Sequence, residues 1–190
     1  MRAKLKPEEQ MTVEEFLAYT EQRPDGERWE LIEGVAILNA SPTDFHQIIA
    51  GNIVTVLNNL GQARKASWVP LLGVGTRVPV SPRSLPQPDV MVKELAATGV
   101  AVSDEAVVLF EILSPSNTKA DQAWRRKVYA SIPNLQHYVT LAQSQVRVER
   151  FDRSANWDKT SFDGIDMALA LPALSITLPL RAIYRQTRLV

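Results

Sequence analysis

Two acidic residues in apolar surroundings are the side chains of this sequence best suited to chemistry. Asp89 precedes a short apolar run, and Glu111 lies inside the most hydrophobic segment, residues 106–113. A carboxylate in such a segment is costly to bury unless it is paired or binds a cation. A basic segment, residues 125–127, follows. Two carboxylates that meet beside a cationic side chain suit a divalent metal ion and a phosphate ester.

The length and composition of the chain predict the number of domains and exclude several kinds of site. A chain of 190 residues predicts one domain with a proper core, here residues 12–190 after a flexible N-terminus of residues 1–11. The absence of cysteine excludes disulfides, thiolate metal sites and a cysteine nucleophile. Two histidines leave little for an imidazole-rich zinc site.

The charge and hydropathy of the chain bear on its partners. Lys and Arg number 21 and Asp and Glu number 21, so the net charge is zero, which argues against strong non-specific DNA binding. The N-terminal residues lack the apolar core of a signal peptide, and no apolar run approaches the ~20 residues of a membrane helix. A cytoplasmic protein without membrane contact is expected.

The hydrophobic periodicity predicts a mixed α/β protein. Residues 41–60 show the clearest helical spacing, with Pro42 in the first turn and Gly61 as the stop, and Glu33-Gly34 reads as the turn of a hairpin. Strands outnumber helices, which predicts a mixed β-sheet flanked by helices. Further helices are predicted near 12–19, 118–131 and 180–187, and strands near 29–32, 35–38, 66–72, 89–93, 106–113, 135–141, 145–151 and 157–162.

The order of several motifs resembles a known family. The residues that carry the resemblance are Trp29 to Gly34, a helix that opens with His46, Pro88-Asp89-Val90, Phe110-Glu111-Ile112-Leu113-Ser114-Pro115-Ser116, Asp121 with Tyr129 eight residues later, His137-Tyr138-Val139, and Val146 to Phe151. Together they look like the Uma2-type (DUF820) family of restriction-endonuclease-like proteins. The resemblance covers roughly residues 12–186.

That resemblance implies a fold and an activity. The fold is the restriction-endonuclease-like PD-(D/E)XK fold, and the activity is metal-dependent hydrolysis of DNA phosphodiester bonds. Asp89 and Glu111 would hold Mg²⁺ or Mn²⁺, helped by the backbone carbonyl of Ile112. DNA is the implied partner, and a homodimer is the expected assembly.

One position departs from the family pattern. In related nucleases a lysine stands two residues after the glutamate, where this chain has Leu113. The resemblance implies that the cation comes instead from the following helix, four residues before Tyr129, and at that expected lysine position this chain has Arg125. Arginine can bind a phosphate but cannot act as a general base. Lys127 lies about 200° further round the helix, whereas Lys119 could reach the site from the helix start.

The remaining candidates have plainer interpretations as well. Glu30 and His46, with Lys119 and Lys127, complete the set of candidate substrate contacts. Glu30 could equally serve packing, His46 could be a surface or capping histidine, and Asp89 could be a turn carboxylate.

Two other classes of function compete with the endonuclease. In a catalytically degenerate nuclease fold, kept for binding or assembly, Glu111 and Arg125 would form a buried ion pair. A serine hydrolase is poorly supported, because the sequence has no Gly-x-Ser-x-Gly motif.

Overall fold

The computed structural model describes residues 10–95, 102–114 and 117–190. The α-helices there are α1 (Val13–Thr20), α2 (Asp44–Arg64), α3 (Lys119–Tyr129) and α4 (Leu180–Ile183). The strands are β1 (Trp29–Ile32), β2 (Val35–Leu38), β3 (Trp68–Leu72), β4 (Gly75–Thr76), β5 (Val90–Glu94), β6 (Val102–Ser103), β7 (Ala106–Leu113), β8 (His137–Ala142), β9 (Arg147–Asp152), β10 (Asp158–Asp163), β11 (Ala168–Leu171) and β12 (Ile176–Pro179). Most of the predicted flexible N-terminus, and Pro115 and Ser116 after β7, lie outside the described residues.

A six-stranded sheet in the described part of the chain forms the centre of the fold. Its order is β10-β9-β8-β7-β5-β3. Strands β7 and β8 are parallel, and the other neighbouring pairs are antiparallel. Helix α3 makes the crossover that a parallel pair requires. The mixed sheet flanked by helices that the sequence predicts is confirmed.

The two central strands β5 and β7 are buried on both faces of the sheet. Phe110 and Ile112 pack in the cluster that contains Ile53 of α2. Successive side chains of a strand point to opposite faces, so Glu111 projects to the other face, where its side chain meets Tyr129 of α3. The sheet therefore carries its acidic residue towards α3 and away from α2.

The first hairpin, β1–β2, forms a separate two-stranded sheet beside the central one. Its predicted turn is confirmed, because Glu33 and Gly34 have φ of 49° and 79°, the positive values of a two-residue type I′ turn. Leu31 of this hairpin packs with Val13, Phe16 and Leu85. This packing anchors β1, the strand that carries Glu30, against the main body.

Helix α2 differs from its predicted limits at both ends. Thr43 is the N-cap, and its side chain accepts a hydrogen bond from the backbone N–H of His46. The helix then passes Gly61 and ends at Arg64. A Cβ at Gly61 would lie 3.3 Å from the Trp68 ring, so this glycine allows close packing and does not stop the helix.

The C-terminal part contains a hairpin that the sequence did not predict, β11–β12. Its strands are four residues long and are joined by a short 3₁₀ turn that begins at Pro172, and runs this short carry little periodic signal. The predicted tail helix is present but shorter, as α4. No helix within the described ranges is both long and apolar enough to cross a membrane.

Helix α3 begins with a capping box that fixes its start. The Thr118 hydroxyl accepts a hydrogen bond from the N–H of Asp121, and the Asp121 carboxylate accepts one from the N–H of Thr118. We expect Thr118→Ala to lower the free energy of unfolding by about 1 kcal/mol, because N-cap hydroxyls contribute that much. Urea denaturation measures this loss, and Thr160→Ala on exposed β10 is the control; equal losses in both would contradict the capping role.

Candidate active site

Arg125 links two carboxylates from distant parts of the chain. Its Nη1 donates to Oε1 of Glu111 at 3.0 Å. Its Nη2 lies 2.9 and 2.7 Å from the two oxygens of Glu30. The Arg125 side chain is 16% exposed and the Glu30 side chain 4%. Three of the predicted site residues, Glu30, Glu111 and Arg125, therefore contact one another in one buried network.

Glu30 is held by further donors from the backbone and from a neighbouring amide. The N–H of Gln87 donates to Oε1 at 2.7 Å, and Nδ2 of Asn39 donates to Oε2 at 3.0 Å. Burial by itself raises the pKa of Glu30, but the charge and hydrogen bonds of Arg125, with these two donors, lower it below its usual range. Glu30 is therefore an ionised partner of Arg125.

Tyr129 joins the network from the next turn of α3. Its hydroxyl donates to Oε1 of Glu111 at 2.7 Å and accepts from Nη1 of Arg125 at 3.1 Å. Residues four apart lie on the same helix face, so Arg125 and Tyr129 reach the same carboxylate. Both contacts use Oε1, and within the described residues no side chain or backbone group donates to Oε2 of Glu111.

Asp89 lies just before β5 and is bound from three directions. The N–H of Ile112 donates to Oδ2 at 2.8 Å. Nε2 of His46 lies 3.1 Å from Oδ1, and Nη2 of Arg28 lies 3.2 Å from the same oxygen. Burial by itself raises the pKa of Asp89, but the hydrogen bond and charge of His46, with the Ile112 N–H and the Arg28 charge, lower it.

The pKa of Glu111 is raised, whereas those of Glu30 and Asp89 are lowered. Burial raises its pKa to about 8, and the nearby charges of Asp89 and Glu30 raise it as well, while Arg125 and Tyr129 act against this. Three carboxylates, those of Glu30, Asp89 and Glu111, thus share the guanidinium groups of Arg28 and Arg125 and the imidazole of His46. The raised pKa of Glu111 favours its protonated form at neutral pH in the metal-free protein.

Two clefts give access to this network. One, of about 510 Å³, is lined by Glu30, Asn39, Trp124 and Arg125 among others. The other, of about 250 Å³, is lined by Arg28, His46, Gln87 and Asp89 among others. The Arg125 side and the Asp89 side of the network therefore open to solvent separately.

The structure gathers some of the predicted site residues and separates others. Asp89, Glu111, Arg125, Glu30 and His46 come together, and Ile112 contributes its backbone N–H to Asp89. Lys119 lines a different cavity, on the other side of α3, and Lys127 is exposed.

The sequence analysis assigned no role in the site to four residues that contact the predicted ones. These are Arg28, Asn39, Gln87 and Tyr129. The spacing of four residues between Arg125 and Tyr129 was the one available signal, because it places both on one face of α3.

The carboxylates of Asp89 and Glu111 are oxygen ligands of the kind that Mg²⁺ and Mn²⁺ prefer. No group of three or more His, Cys, Asp or Glu side chains able to hold a metal occurs in the described ranges. Mg²⁺ is commonly bound by one or two carboxylates and otherwise by water. Oε2 of Glu111 is the oxygen left for such an ion.

Comparison with known proteins gives the family. The sequence model of the Uma2 family, which is described as "Putative restriction endonuclease", matches residues 13–181. The fold is similar to the crystal structure of a "putative nuclease belonging to DUF820" from Anabaena variabilis, with a TM-score of 0.75, 17% identity, and coverage of 92% of this chain and 97% of that one. At this identity the likeness shows the fold alone. No curated protein matches the chain. Because the family model covers most of its length, the chain belongs to the Uma2 family.

Proposed function

We propose that this protein is a divalent-metal-dependent DNA endonuclease of the PD-(D/E)XK type. The observation that carries the proposal is geometric: Asp89 and Glu111 lie in the same buried site, and Oε2 of Glu111 accepts no hydrogen bond from any residue that the structure describes. Two buried carboxylates in one site favour a bound cation. Family membership and the nuclease-like fold support the same activity.

Asp89 and Glu111 would hold Mg²⁺ or Mn²⁺. The bound ion would lower the pKa of a coordinated water and stabilise charge on the scissile phosphate. The N–H of Ile112 and the ring of His46 fix the orientation of Asp89. Glu111 is fixed by Tyr129 and Arg125 on its other oxygen, Oε1.

Arg125 would bind the phosphate. Its two terminal nitrogens contact Glu30, Glu111 and Tyr129, and its Nε makes no hydrogen bond to any residue that the structure describes. Since Arg125 also lines the larger cleft, it can meet a phosphate there. Arginine keeps its proton, so it stabilises negative charge and does not activate water.

Metal titration tests this proposal first. We expect calorimetry to detect Mg²⁺ and Mn²⁺ binding to the wild type, and Asp89→Ala to weaken it at least about tenfold, since one of two carboxylate ligands is lost. Asp158→Asn, an exposed carboxylate on β10, is the matched control. Cleavage of supercoiled plasmid and labelled single-stranded DNA, with either metal or with chelator, follows on the same samples.

Metal binding and DNA cleavage together decide whether the endonuclease proposal holds. Metal binding that is lost in Asp89→Ala and kept in Asp158→Asn, together with metal-dependent cleavage, supports the endonuclease. Absence of both metal binding and cleavage in the wild type would overturn it.

A second candidate is a catalytically degenerate member of the family. The observation in its favour is that Arg125 already bridges Glu30 and Glu111, as a structural ion pair would. In that case the fold serves binding or assembly, with a homodimer as the proposed form. Light scattering of the purified protein that gave a dimer, without metal binding, would favour this candidate.

A further inference from the structure

A small cavity with basic walls lies between α3 and strands β8 to β10. It has a volume of about 200 Å³, and its polar lining includes Lys119, Arg126, Tyr138, Thr140 and Lys159. We call it the basic pocket. It is distinct from the two clefts of the candidate active site, because it shares none of their lining residues.

The charge of the basic pocket favours an anion. Lys119, Arg126 and Lys159 bring three positive charges against one carboxylate, that of Glu149. This carboxylate is already paired, since Lys159 lies 2.9 Å and Arg147 3.7 Å from its Oε1. The remaining positive charge faces the cavity.

One of the cations contacts an aromatic ring. The guanidinium carbon of Arg126 lies 5.1 Å from the centre of the Phe151 ring, within the range of a cation–π contact. The side chain of Arg126 forms no hydrogen bond or ion pair with any residue that the structure describes. A planar guanidinium offers paired donors that match a phosphate.

The floor of the pocket supplies neutral hydroxyls. Tyr138 is 1% exposed, and its hydroxyl has no hydrogen-bond partner within the ranges that the structure describes. Thr140 beside it is 5% exposed. Buried hydroxyls are normally satisfied. Tyr138 and Thr140 both line the basic pocket, so a ligand in the pocket lies against the residue whose hydroxyl is unsatisfied.

The basic pocket adjoins the candidate active site. Thr140 is paired with Glu111 in the register of β7 and β8, and neighbouring strands are about 5 Å apart. The start of α3 is common to both sites, because Ala120 lines the larger cleft and Lys119 lines the pocket. A polyanion that crosses the start of α3 can therefore contact both.

We infer that the basic pocket binds a backbone phosphate of the nucleic acid, next to the phosphate that is cleaved. The identity of this ligand rests on the proposed function. The pocket fits the phosphodiester backbone better than a base, since lysine, arginine and hydroxyl groups outnumber the one amide, of Gln122, and the one carboxylate, of Glu149, which Lys159 already pairs. Such contacts fix the position of a strand without reading its sequence.

DNA binding with the metal chelated is the first measurement. We expect Lys119→Gln/Lys159→Gln to weaken the binding of a fluorescent single-stranded oligonucleotide at least tenfold in anisotropy. The slope of log affinity against log salt should fall by about 0.7, the value for one lost phosphate contact on a single strand. Lys65→Gln/Arg185→Gln removes the same charge from exposed positions outside the pocket and should leave the slope unchanged.

Inorganic phosphate provides the second, independent measurement. Titration of phosphate should shift the amide resonances of Tyr138 and Thr140 in the wild type and not in the double variant. If the double variant does not fold, the single variant Lys119→Gln replaces it in both measurements, because Lys119 is exposed. We expect this variant to show at least half of the loss in log affinity that is expected for the double variant.

The two proposals fail in different ways. If DNA and phosphate binding depend on the pocket but no metal supports cleavage, the endonuclease proposal is wrong and the pocket proposal stands. Metal-dependent cleavage with an unchanged salt slope and no phosphate shifts in the double variant overturns the pocket alone. Equal losses of affinity in the double variant and its control also overturn it.

Discussion

Replacement of Arg125 by methionine is expected to lower the free energy of unfolding by about 3–5 kcal/mol at pH 7. The guanidinium binds Glu30 and Glu111 at 2.7 to 3.0 Å, and both carboxylates are almost inaccessible to water. Methionine keeps much of the volume but leaves these carboxylates without their partner. An uncompensated buried charge costs far more than the net contribution of the pair.

Urea denaturation of the metal-free protein measures this loss. Lys127→Met removes a charge from the exposed face of the same helix and should change stability by less than about 0.5 kcal/mol. The stability of Arg125→Lys should fall between the two, because lysine keeps the charge but has one side-chain nitrogen in place of the two terminal nitrogens with which arginine binds two carboxylates. Equal stabilities of Arg125→Met and Lys127→Met would show that the bridge does not contribute to folding.

The two strand carboxylates could be predicted from the sequence because of their apolar context. Val90 to Val92 and residues 106–113 are continuous apolar runs, which mark strands buried on both faces. An acidic residue beside or within such a run must be compensated, so Asp89 and Glu111 stood out. Family resemblance, and not periodicity, selected Arg125 from the three basic residues of α3.

The rest of the network depends on tertiary contacts that the sequence does not encode locally. Glu30 and Arg125 are 95 residues apart, and their contact depends on how the β1–β2 hairpin lies against α3. Arg28 reaches Asp89 for the same reason. The direction of Lys119 away from the cleft depends on the exact rotation of α3, which the Thr118 cap fixes.

We expect the metal-free protein to become less stable as the pH rises, because of Glu111. Burial raises the pKa of Glu111 to about 8, above the 4.5 of an exposed glutamate. The folded protein therefore binds a proton that the unfolded chain has lost between these two values. The stabilising effect of that proton is complete below about pH 4.5, decreases as the pH rises, and is lost above about pH 8.

Glu111→Gln removes this dependence while keeping an oxygen that can accept from Tyr129 and Arg125. We expect the variant to be more stable than the wild type by roughly 2–4 kcal/mol at pH 8 without metal, since one unit of pKa shift corresponds to about 1.4 kcal/mol. At pH 5 the two should differ by less than about 1 kcal/mol, because Glu111 is then neutral in the folded protein.

A divalent metal should make the wild type more stable than Glu111→Gln. Mg²⁺ binds the ionised carboxylates of the wild type and stabilises it by mass action, whereas Glu111→Gln has lost one of its two charged ligands and should gain little. Thermal unfolding measures the stability of each protein at pH 5 and pH 8, with chelator and with Mg²⁺. The proteins are the wild type, Glu111→Gln and the control Glu94→Gln, an exposed position on β5. A variant that is less stable than the wild type at pH 8 without metal would identify Glu111 as the structural partner of Arg125. That result would favour the degenerate fold over the metal site, because only an ion pair loses stability when the charge on Glu111 is removed.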